Sequence, residues 1–154
     1  MSERFEAFTI AEFEALMPSV YLMDDEGKNR ILEFVRDHCA SRPGMMQLLI
    51  CTAEMCASIA RMIAARDGKD FDFIALETTE DTPAEMVTFG QVMAVTMNGD
   101  GDTQIALLRA MLDRAEESDD GFEVAAVAAE TFGLLSFLMH ELADTKSGVS
   151  EQGS

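Results

Sequence analysis

Apolar residues recur three and four positions apart along most of this chain, the rhythm of helices that bury one face. Capping residues, prolines and glycines divide that rhythm into segments. Thr9-Ile-Ala-Glu12 has the form of a capping box and opens a short helix that Pro18 is expected to stop. Asp24-Asp25-Glu26 places negative charge where the dipole of a second helix favours it. That helix should run to about Ala40 with Ile31, Leu32, Val35 and Cys39 on one side. Pro43 suits the first turn of the next helix, over residues 43–66, whose apolar positions cover more than one stripe and mark it as central. Ala53, Ala57 and Ala60 leave room for a close neighbour, and Asp67-Gly68 is the stop.

Beyond a long connection over residues 67–82, Thr82-Pro83-Ala84-Glu85 reads as an N-cap, an N1 proline and a capping-box glutamate. The helix it opens carries Met86, Phe89, Val92, Met93 and Met97. Residues 98–103 end it and cap the next, expected over 103–117 with Ile105, Leu108, Met111 and Leu112 inside. The last helix should span residues 122–143. Gly133 in its middle costs about 1 kcal/mol against alanine, so a close helix crossing is expected there. The pattern predicts an all-α fold, a single-domain bundle of five main helices plus a short N-terminal one, with the helices over 43–66 and 122–143 central. Residues 1–144 read as one acidic helical domain and 145–154 as a disordered tail.

Charge changes this picture more than composition does. The formal net charge is −18, and it is unevenly spread: from Asp70 onward the chain holds 18 acids against three bases, and before it 11 against eight. Such a field repels nucleic acid and anionic membrane and attracts basic protein surfaces. Two acidic clusters stand out, Asp70, Asp72, Glu77, Glu80 and Asp81 in the long connection, and Asp113, Glu116, Glu117, Asp119 and Asp120 at the end of the helix expected over 103–117. The second cluster lies at a helix C-terminus, where the dipole disfavours acids, so it works against local stability. Three cysteines, Cys39, Cys51 and Cys56, have no framework spacing and suggest free thiols in a reducing, cytoplasmic setting. No secretory signal pattern opens the chain, and Gln47 and Glu54 interrupt its longest apolar stretch, so no membrane span is expected.

Candidate chemistry is sparse. Asn98-x-Asp100-x-Asp102 starts like a calcium loop, but Thr103 stands where glycine is needed and Arg109 where glutamate is. His140, Glu141 and Asp144 resemble part of a zinc helix without its second histidine, and His38 is distant in sequence. His38, Cys39, Cys51 and Cys56 lack metal-ligand spacing. Glu54 and Glu130, on the two central helices, would matter only if they faced the core, with Arg61 or Ser58 as partners. No catalytic residue, metal or cofactor is therefore assigned.

The expected function is a non-enzymatic protein-binding module, an adaptor, inhibitor or assembly factor such as phages carry as accessory proteins. Its acidic face would meet a basic partner, in the sharpest form by mimicking nucleic acid before a nucleic-acid-binding protein. The alternatives are a homodimeric assembly chaperone using Met-rich helix faces, and a carboxylate and histidine metal enzyme in the bundle core.

Overall fold

A computed structural model describes residues 7–68 and 81–152, with side chains up to Ala143 in the last helix. These residues form seven helices: α1 (Ile10–Glu14), α2 (Met17–Leu22), α3 (Asp25–His38), α4 (Arg42–Asp67), α5 (Ala84–Met97), α6 (Gly101–Ser118) and α7 (Phe122–Gln152). No strand occurs among the described residues, and the fold is all-α.

Most helix starts follow from local hydrogen bonding. Thr9 Oγ1 accepts from the Glu12 N–H while Glu12 accepts from the Thr9 N–H, which is the complete capping box. Asp24 caps α3 through the Gly27 N–H at 2.7 Å, Ser41 caps α4 through Gly44 at 3.2 Å, and Asp100 caps α6 through Thr103 at 3.1 Å. Pro18 does not end the first helix. It lies in the opening turn of α2, where its missing N–H would have no partner anyway. The start of α5 comes one residue later than the capping box predicts, with Pro83 in the N-cap position. The backbone of α7 continues to Gln152, through most of the stretch expected as a tail.

The core is built on α4 and α7. On α4, Leu48, Leu49, Ala53, Cys56, Ala57 and Ala60 are all buried; on α7, Val127, Phe132, Leu135 and Leu138 are. The Cys56 thiol reaches the Thr131 carbonyl, and Arg66 donates to the Leu142 carbonyl at 2.7 Å. These contacts advance along both helices in the same sense, so the central pair is parallel. The hairpin of α5 and α6 is antiparallel, and Arg42 at the start of α4 meets Asp113 and Glu116 near the end of α6. Arg61 donates to the Met97 carbonyl at the end of α5, which sets α5 along the direction of α4. Short connections favour antiparallel neighbours, and the parallel arrangement of α4 and α5 is what the long 68–83 connection permits. By length and composition, α4 and residues 122–143 of α7 could each cross a membrane.

The N-terminal helices pack against this body. Phe8 stacks near Phe13 at 5.9 Å and meets Phe34 edge-on at 5.1 Å. Gln47 of α4 accepts from the Ala7 N–H and donates to the Phe8 carbonyl, pairing one backbone group of each residue in the incoming segment. Between α2 and α7, Tyr21 and His140 stack with ring centroids 4.1 Å apart, and His140 Nε2 donates to the Tyr21 carbonyl at 2.7 Å.

Several positions depart from the periodic reading. On α3, Phe34 turns inward and Leu32 is exposed. On α6, Gln104 takes the inner place expected of Ile105, because its amide donates to Thr96 Oγ1 at 2.8 Å and Thr96 in turn donates to the Val92 carbonyl. Gly133 is exposed, and a Cβ there would meet nothing within 4 Å, so no close crossing explains it among the described residues. Close approaches occur at Gly27 and Gly44 instead. A Cβ on Gly27 would lie 2.6 Å from the Ser19 carbonyl oxygen, and one on Gly44 would lie 2.9 Å from the Cys39 Cα.

Candidate interaction surface

Among the described residues, the acidic cluster at the end of α6 divides into carboxylates paired with an arginine and carboxylates that are not. Arg42 bonds Asp113 at 2.6 Å and Glu116 at 3.1 Å, and both acids hold its guanidinium charged. Those two residues therefore tie α6 to α4 and are not the free acids their spacing suggested. Beside them Arg114 clasps Glu123 of α7 through two bonds, at 3.1 and 3.0 Å, and Thr88 of α5 donates to the same carboxylate at 2.8 Å. The Arg114 bond, followed by that of Thr88, holds the Glu123 carboxyl below its ordinary range despite partial burial. Three helices meet at this one side chain, which the charge reading of the sequence passed over.

Glu117, Asp119 and Asp120 remain exposed at the corner between α6 and α7. Asp119 occupies the left-handed position that ends α6, with φ of 54°, a place usually taken by glycine or asparagine. Asp120 turns one oxygen to the Phe122 N–H at 2.9 Å, bracing the first turn of α7. Phe122 itself is 64% exposed, directly against this acidic corner. Two open hollows flank it. One, of about 410 Å³, lies between the start of α4 and the α6–α7 corner and includes Glu116, Asp119 and Asp120. The other, of about 550 Å³, includes Glu85, Arg114, Glu117 and Phe122. Asp81 is exposed ahead of α5, whereas Asp70, Asp72, Glu77 and Glu80 lie outside the described residues.

The candidate chemical residues take structural places. Glu54 and Glu130 are both exposed, so neither puts a carboxylate in the core. Asp100 gives one oxygen to the Thr103 N–H and the other to the Thr103 hydroxyl at 2.6 Å, the geometry of a helix cap. His38 donates to the Ala7 carbonyl and packs on Phe34, and its other nitrogen lies 3.6 Å from Glu12. Burial pushes the thiols of Cys39 and Cys56 up to about 11 and about 12, so both stay protonated near neutral pH. Among the described residues no group of three or more His, Cys, Asp and Glu side chains could hold a metal ion. The chain matches no protein-family model, and no similar curated protein or solved structure is found for it.

Proposed function

We propose that the protein is a non-enzymatic protein-binding module, a single-domain bundle whose α6–α7 corner docks a basic patch on a partner. The observation that carries this reading is Phe122, 64% exposed beside the carboxylates of Glu117 and Asp119, which have no ion-pair partner among the described residues. An aromatic side chain among carboxylates offers a partner an apolar anchor, while the charges guide its approach and orientation. The partner expected is a nucleic-acid-binding protein, whose lysines and arginines would accept spaced carboxylates in place of phosphates. Free, largely buried cysteines suit a cytoplasmic setting.

The test is capture of partners from host lysate at low and high salt, with the native chain and with Phe122→Ala and Glu117→Lys. One basic protein, retained at low salt, released at high salt and lost from both variants, is the expected result. Equal retention by all three chains sinks the reading.

A second reading, a homodimer, is favoured by one further observation: Phe137 on α7 is 58% exposed one turn from the open Gly133. Sedimentation equilibrium of the native chain and of Phe137→Asp decides it. A dimer that the substitution dissociates supports the reading, and a native monomer excludes it.

A further inference from the structure

Arg42, Pro43, Met46, Gln47, Ile50 and Cys51 fall on one stripe of α4, at spacings that align them along the helix. They form one wall of an open groove of about 400 Å³, and Arg109 of α6 stands on the other. Apart from its rim, the groove is apolar. Its two arginines differ in a way that decides what it can hold. Arg42 already faces the carboxylates of Asp113 and Glu116, which offset its charge. Arg109 is pinned by its backbone, since its carbonyl accepts from Arg42 at 3.5 Å, but its guanidinium has no partner among the described residues. In a chain of net charge −18, an arginine without an acidic partner among the described residues borders an apolar groove.

We propose that this groove binds a small amphipathic carboxylate, with its apolar body along Met46, Ile50 and Cys51 and its charge on Arg109. One negative charge is the complement, because a second would meet an Arg42 that is already matched. The volume falls at the lower end of the range for small-molecule sites. The inference is independent of the protein-binding corner and stands or falls without it.

Cys51 supplies the readout. It is half-buried in the groove wall, whereas Cys39 and Cys56 are buried in the core, so an uncharged maleimide should label Cys51 first. Decanoate, kept below its aggregation threshold, is expected to slow that labelling saturably and to raise the thermal midpoint. Decanol should need about tenfold more to protect equally, the worth of one charge-assisted hydrogen bond at the rim. Arg109→Gln, at an exposed position, should bring decanoate down to the level of decanol while leaving the protection by decanol unchanged. Equal protection by decanoate and decanol in the native chain would overturn the proposal. So would a thermal midpoint that decanoate leaves unmoved, or unchanged overall labelling in Cys51→Ser.

Discussion

A methyl group added at Gly44 and one added at Gly133 should move stability in opposite directions. At Gly44 it would press on the Cys39 Cα at 2.9 Å, backbone that cannot swing aside, so Gly44→Ala should lower stability by about 3 kcal/mol. At Gly133 the same methyl meets open space on a helix, and Gly133→Ala should raise stability by about 1 kcal/mol. Urea unfolding of the two variants checks both, and a destabilised Gly133→Ala would mean that something packs on that face in solution. Gly44 lies in the first turn of α4, after Ser41 and Pro43, and Gly133 in the middle of α7. What separates them in space is the tight turn from α3 into α4, which folds the backbone of His38 and Cys39 onto Gly44. Leu32, expected inside, is exposed and Phe34 is buried for a longer-range reason: the ring of Phe8 reaches Phe34 from the N-terminal segment.

Helix beginnings were the most legible elements, because a cap is a short-range bond between residues three apart. The capping box of Thr9 and Glu12 shows it plainly. Ser41, whose cap the Pro43 signal left unassigned, holds α4 in the same way, and Ser41→Ala should cost about 1 kcal/mol through loss of the bond to the Gly44 N–H, seen as a lower urea midpoint with unchanged slope. Helix directions were not legible, since the parallel run of α4 and α7 depends on contacts such as Arg66 to Leu142. The junction at Glu123 adds a pH dependence of definite sign. Its carboxyl is held below the ordinary value of 4.5 in the folded state, so it contributes stability above that pH. The contribution is lost as pH falls through the lower, folded value. Glu12 and Asp100 shift in the same direction through their own caps. Acid titration should therefore weaken the fold below about pH 4.5, and Glu123→Gln should flatten part of that decline.

For the molecule as a whole, −18 of charge on a small bundle means that self-repulsion opposes compactness near neutral pH. Raising salt toward about 0.15 M should increase the thermal midpoint, because screening relieves that repulsion more than it weakens the few surface ion pairs. A midpoint that falls with salt would show that the arginine pairs outweigh the general field. The core opposes the same repulsion, and Leu135→Ala, at a fully buried position on α7, should cost about 3 kcal/mol. The uneven charge was visible in the sequence as a difference between halves of the chain. Which acids are already paired was not, because Arg42 belongs to the less acidic half and reaches Asp113 and Glu116 on α6. The acids left over, and the exposed ring of Phe122 beside them, emerge only once those pairs are made.

The stacking of Tyr21 on His140 has an optical consequence. The chain has one tyrosine and no tryptophan, so its near-ultraviolet emission comes almost wholly from a single ring. That ring lies against the last helix 4.1 Å from an imidazole. Fluorescence of the native protein, with no label attached, is therefore a local gauge of whether α2 is docked on α7. If the N-terminal helices detach before the central pair melts, the emission will change at a lower denaturant concentration than the helical circular dichroism does.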